Sequence, residues 1–127
     1  MLKKTLLDLT AKNLGATGGT AYSDAMELAG PMDQDSLNVF LHAAKTAGTT
    51  PTLDVSFEVS WDGGTTWVAS GLAMTQVTTS TDSNEAKRWS TNLIGPHIRA
   101  KYVIGGTATP AYDIKVIVSA FGSGYWG

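Results

Sequence analysis

Residues 53–67 read LDVSFEVSWDGGTTW. Leu53, Val55, Phe57, Val59 and Trp61 occupy every second position, with Asp54, Ser56, Glu58 and Ser60 between them. Side chains of an extended chain point alternately to opposite faces. The pattern therefore specifies a strand with one face in a core and one in water. Asp62-Gly63-Gly64 follows at once. Glycine accepts positive φ, and an aspartate carboxylate reaches backbone N–H groups two residues on, so the run predicts a tight hairpin. Loop length then decides where Trp67 points. A loop of Asp62, Gly63 and Gly64 sets Thr65 opposite Trp61 and Trp67 opposite Val59, in the core. A loop one residue shorter sets Trp67 opposite Ser60, on the polar face. The first is expected, because burying an indole stabilises by a few kcal/mol.

The same period continues outward from this segment. Leu37, Val39 and Leu41 alternate with Asn38, Phe40 and His42. Ile98, Ala100, Tyr102 and Ile104 alternate with His97, Arg99, Lys101 and Val103. Tyr112, Ile114, Val116 and Val118 oppose Asp113, Lys115, Ile117 and Ser119; this last strand is apolar on parts of both faces, which suits a central position. Weaker strand patterns lie near 5–11, 20–28, 66–70 and 72–79. Between them stand Gly15 to Gly19, Gly30-Pro31, Gly48 to Pro51, Gly95-Pro96 and Gly105 to Pro110. Residues 82–90, DSNEAKRWS, read as one helical turn capped by Asp82 or Ser83, or as a loop.

Short strands with Gly/Pro turns predict an all-β fold. The expected architecture is a single antiparallel β-sandwich, jelly-roll or Ig-like, of about eight strands with extended terminal arms. One domain over 1–127 is expected, with 1–12 an N-terminal arm or edge strand and 122–127 a Gly-rich tail. The chain has 127 residues and 43% hydrophobic residues, enough to bury about two-thirds of its unfolded surface.

Composition narrows the chemistry. Nine Lys+Arg stand against eleven Asp+Glu, net charge −2, with no basic run, so nucleic acid is not an expected partner. There are no cysteines, which excludes disulfides and thiolate metal sites. In MLKKTLLDLTAKN, Asp8 interrupts the apolar run too early for a signal peptide, so a protein made in the cytoplasm is expected. No stretch approaches the ~20 apolar residues of a membrane span, and no membrane partner is expected.

Several residues invite functional readings. Asp33-Gln34-Asp35 has the spacing that opens a calcium loop, but the glycine and distal glutamate of that loop are missing. His42 and His97 lack a convergent third group and read as solvent-facing strand residues. GATGGT lacks the Lys-Ser/Thr of a phosphate loop. Arg99 and Lys101 share a solvated face with His97. No catalytic residue, cofactor or metal is expected. Trp61, Trp67, Trp89 and Trp126 are read chiefly as packing residues. The two chain ends read as candidate partner contacts: Leu6, Leu7 and Leu9 in the first, Tyr125 and Trp126 in the second.

SWDGGTTW, residues 60–67, resembles the Asp-box of sialidases and other β-propellers. Even a four-bladed propeller needs about sixteen strands, and this chain has room for about eight. The resemblance implies a structural hairpin, built on Asp62, Gly63, Gly64 and Trp67, with no catalytic role. A second resemblance covers roughly residues 53–121. VSFEVSWDGGTTW followed by HIRAKYVIGGTATPAYDIKVIVSA is similar in layout to small virion structural proteins of tailed bacteriophages, capsid decoration (cement) proteins above all. It implies a non-enzymatic β-sandwich that forms homo-oligomers, dimer or trimer, and binds the major capsid protein lattice. Its location would be the virion, assembled in the host bacterial cytoplasm. The alternative expectation is a carbohydrate-binding module or a tail- or neck-associated adhesin domain, with Trp89, Tyr102 or Trp126 as stacking rings.

Overall fold

The computed structural model describes residues 2–27, 36–78, 82–90 and 97–121. They form seven strands, all antiparallel where paired: β1 (Leu2–Asn13), β2 (Gly18–Tyr22), β3 (Met26–Glu27), β4 (Ser36–Ser60), β5 (Val68–Ala73), β6 (Ser83–Ser90) and β7 (His97–Phe121). Tyr125, Trp126 and the 33–35 triplet lie outside the described residues.

Two strands of 25 residues each, β4 and β7, pair along almost their whole length. The segment expected to begin at Leu53 is thus the second half of a strand that begins at Ser36. Gly48 to Pro51 and Gly105 to Pro110 do not end strands. They bend them. Register shifts fall between Lys45 and Thr52, and nowhere else along this pair. They cancel: Ser36 pairs with Phe121 before the bend and Ser60 with His97 after it, on the same register. Side-chain parity is therefore conserved, and the faces that point inward in one half point inward in the other. Bulged corners of this kind let strands pass from one layer to the next.

At the corner the strands touch backbone to backbone. A Cβ on Gly48 would lie 2.6 Å from the Pro110 Cα, and one on Gly106 would lie 2.9 Å from the Pro51 Cα. Both glycines have positive φ, 108° and 125°. Only residues without a side chain allow this approach and this backbone together.

On one side of the corner the order is β1, β7, β4, β6. On the other it is β2 with β3, then β7, β4, β5. With β2 and β3 as one collinear arm, and β4 and β7 as two arms each, chain order within the layers is first-eighth-third-sixth and second-seventh-fourth-fifth. This interleaving is a jelly roll. The expected β-sandwich is what forms, and the strand apolar on both faces, β7, is central.

The two layers enclose one core. Leu37, Val39, Leu41 and Ala43 line the first; Leu53, Val55, Phe57 and Val59 line the second, all buried. Each large side chain so placed stabilises by about 1.5–3 kcal/mol. Contacts cross between the layers. Trp89 of β6 meets Phe57 of β4 edge to face, 6.1 Å between centroids. Lys87 Nζ donates to the Ala73 carbonyl (3.0 Å), and Glu85 accepts from the Thr75 N–H (2.8 Å) and hydroxyl (2.6 Å). Val77 forms an isolated bridge with Leu53, so the patterns at 66–70 and 72–79 are one strand and one bridge.

Two local expectations fail. Residues 83–90 are the edge strand β6, neither helical turn nor loop; all eight pair with Ser36–Ala43 of β4. That ladder and the burial of Trp89 outweigh the local capping pattern. Over 1–12, expected as an arm or an edge strand, it is the edge strand β1 that forms; what fails is the partner role of its leucines. Leu7 faces Val116 and Leu9 faces Ile114, and a bulge between Thr5 and Leu7 turns the extra residue, Leu6, inward as well. Leu6 and Leu7 are buried and Leu9 packs on the core, so these side chains are not offered to a partner.

Candidate partner-binding site

The loop between β4 and β5 is longer than expected. β5 begins to pair with β4 at Val68 opposite Val59, so residues 61–67 form the loop and Ser60 pairs only with His97 of β7. The reason is internal satisfaction. Asp62 Oδ1 accepts from the Ser60 hydroxyl (2.9 Å), the Thr65 N–H (3.1 Å) and the Thr66 N–H (2.8 Å). Ser60 Oγ in turn accepts from the Gly64 N–H (2.8 Å). These side chains supply the partners that a ladder would otherwise provide. Asp62 is held down from 3.8 to about 2, first by the Thr66 N–H, then by the Thr66 and Ser60 hydroxyls. It is therefore a fixed negative charge.

This geometry reverses the two tryptophans. Trp67, expected in the core opposite Val59, is half-buried and lies on the outer face of the second layer. Its Nε1 donates to the Gly64 carbonyl (3.0 Å) and its ring faces Arg99. Trp61, expected to continue the inward row, is 61% exposed. The row ends with the ladder at Ser60, and the loop carries Trp61 away.

Arg99 is boxed on that outer face. Its guanidinium lies 4.0 Å from the Tyr22 ring centroid and 4.4 Å from that of Trp67. Glu58, its cross-strand neighbour, accepts from Nε (2.9 Å) and Nη2 (2.7 Å) on one oxygen. Two rings and a carboxylate thus hold one cation. The simple solvated face expected for Arg99 is an ordered cage. Tyr22, in a weak strand pattern far along the chain, gave no sign of this role.

On the core side of the same strands, Val59, Trp61, Asp62, Thr66 and Val68 line an open cleft of about 320 Å³. Val68 is 50% exposed although it faces a buried residue, because β5 is an edge. The first layer has its own outer feature. Thr5, Ile117, Phe40 and Ala86 are successive cross-strand neighbours on β1, β7, β4 and β6. Phe40 is 37% exposed, and a groove of about 240 Å³ runs beside it, lined in part by Ile117, Ala86 and Arg88.

Two of the three rings named as sugar platforms are turned toward the core. Tyr102 is buried, Trp89 is half-buried against Phe57, and Trp126 lies outside the described residues. His42 Nδ1 bonds Asn84 (2.8 Å), and His97 Nε2 lies 3.8 Å from Glu27. Among the described residues, no three His, Asp or Glu side chains gather where they could hold a metal.

No protein-family model matches the chain, and no curated protein matches it in sequence. Solved structures do match in shape. A chain of infectious bursal disease virus, Gx strain, superposes with a TM-score of 0.63 at 13% identity; 98% of this chain covers 32% of that one. This chain thus spans about a third of that protein. A chain of Broad bean stain virus gives 0.54 at 7% identity, over 100% of this chain and 93% of that one. A CBM4 carbohydrate-binding module gives 0.52 at 16% identity, over 79% and 61%. At these identities the likeness is one of fold: the chain shares its β-sandwich with virus-particle chains and with a carbohydrate-binding module.

Proposed function

We propose that the chain is a non-enzymatic virion structural protein of the capsid decoration type, which binds and stabilises the major capsid protein lattice. The observation that carries this reading is the exposure of apolar side chains on opposite outer faces of one rigid sandwich. Phe40 is exposed on the outer face of the first layer and Tyr22 on that of the second, while Trp61 and Val68 are exposed at the rim of the second, next to the core-facing Val59. One subunit can then touch two neighbours at once. Many weak contacts around a closed shell sum by avidity. The fold likeness to virus-particle chains supports the reading, as does the layout of residues 53–121.

Self-association as dimer or trimer, residence in the virion and assembly in a bacterial cytoplasm belong to the same proposal. Purified chain should co-sediment with expanded capsids of the particle encoded beside it, and oligosaccharides should not displace it.

A second reading has one specific observation in its favour. Trp61 and Tyr22 are exposed rings on a sandwich that shares its fold with a CBM4 module. Glycan-array binding that Trp61→Ala abolishes, with no sedimentation on capsids, would select a carbohydrate-binding module instead.

A further inference from the structure

The cage around Arg99 and the cleft at Trp61 share two ingredients, an indole and a carboxylate. In the cage, the Trp67 indole and the Glu58 carboxylate hold a guanidinium, with Tyr22 on the other side. In the cleft, the Trp61 indole and the Asp62 carboxylate line one opening, with the methyl groups of Val59 and Val68 as its walls. No side chain of this protein fills it among the described residues. We infer that the cleft of Trp61, Asp62 and Val68 is a receptor for an arginine side chain of a partner protein.

Each part of an arginine has a counterpart there. The planar cation stacks on an indole face, worth about 0.5–1 kcal/mol when exposed and more once desolvated. The carboxylate supplies charge complementarity and an acceptor. The Asp62 side chain is exposed, and its loop hydrogen bonds keep it charged, so it presents a fixed negative charge at the cleft. The three-methylene stem of arginine covers apolar walls such as those of Val59 and Val68 while its head stays at the polar end. The cleft is also held ready. The Ser60, Gly64, Thr65 and Thr66 bonds fix the loop before any partner arrives, so little ordering remains to be lost on binding. An indole left 61% exposed in so constrained a loop has most of its surface open to a partner.

This inference rests on the reading that the chain docks on a protein, and it supplies the chemistry of one contact. Its test needs no capsid, so the two can fail separately. In isotope-labelled chain, the indole N–H resonances of the four tryptophans are followed while N-acetyl-Gly-Arg-Gly-amide is added. The Trp61 resonance should move saturably in the millimolar range while that of Trp67 stays nearly still. Asp62→Asn keeps an oxygen acceptor for the loop but loses the charge, and should weaken the peptide about fivefold or more. Trp61→Ala, at an exposed site, should leave the other resonances in place and abolish the remaining shifts around Val68. Added salt should weaken binding. No saturable shift with the arginine peptide overturns the inference. An equal response to the Gly-Leu-Gly peptide overturns it in favour of an apolar receptor, and saturation by maltotriose overturns it in favour of a sugar site.

Discussion

Gly48 of β4 and Pro110 of β7 meet so closely at the corner that a single methyl group between them would overlap backbone. The reciprocal contact, Gly106 against Pro51, lies on the same bend. The jelly roll depends on this crossing, because it is where both long strands change layer. Gly48→Ala adds the clash to an unfavourable positive φ and should cost about 2–4 kcal/mol by urea unfolding. Gly63→Ala shares the positive φ but meets nothing within 4 Å, and should cost about 1 kcal/mol. Equal losses would show that the corner contact contributes nothing beyond backbone conformation.

The Arg99 cage is a stability element. Arg99→Lys keeps the charge but loses the planar stack between Tyr22 and Trp67, and should cost about 1–2 kcal/mol. A double-mutant cycle with Glu58→Gln should return a coupling of about 1 kcal/mol, since both side chains are largely shielded. A coupling near zero would mean that the rings alone hold the guanidinium.

Acid should open the 61–67 loop late. Asp62 has a folded-state value of about 2 against an ordinary 3.8, so its charged form stabilises the fold. That contribution is complete above about pH 4 and is lost as pH falls toward 2. The Thr66 amide resonance should follow the same titration. In Asp62→Asn this step should vanish, and a midpoint near 4 in the native chain would remove the role assigned to these hydrogen bonds.

Tyr112 tests the closure of the two layers at the alkaline end. Its hydroxyl donates to the Thr78 carbonyl (2.6 Å), and burial, then the Asp54 charge, pushes its ionisation up to about 12. Raised above the unfolded value of 10, it adds stability that is intact below pH 10 and lost as pH climbs toward 12. Burial also raises Tyr102, so phenolate absorbance should show two late-titrating tyrosines, and Tyr112→Phe should remove the later of them at a cost of about 1 kcal/mol.

Much of the fold was legible in the alternation. Leu53 to Val59 and Ile98 to Ile104 each announce a half-buried strand, and each is one. Their continuity across Gly48–Pro51 and Gly105–Pro110 was not legible, because the residues that permit a corner also terminate strands. β6 escaped because a polar edge strand draws its order from β4 and not from its own pattern. The Asp62 turn was legible as turn chemistry. Its consequence for Trp61 and Trp67 was not, since one carboxylate and one hydroxyl can satisfy enough N–H groups to withdraw 61–67 from the ladder. The Arg99 cage needs Tyr22 on β2 beside β7, a neighbourhood set by topology alone.

The chain's copy number in purified particles tests the virion role most directly. Particles produced with and without this chain can be purified to constant density and their proteins quantified by mass spectrometry. A decoration role predicts a fixed ratio to the major capsid protein that recurs between preparations, and particles lacking the chain that open at lower temperature. A chain absent from washed particles, or present at trace and variable levels with no effect on their stability, would contradict it.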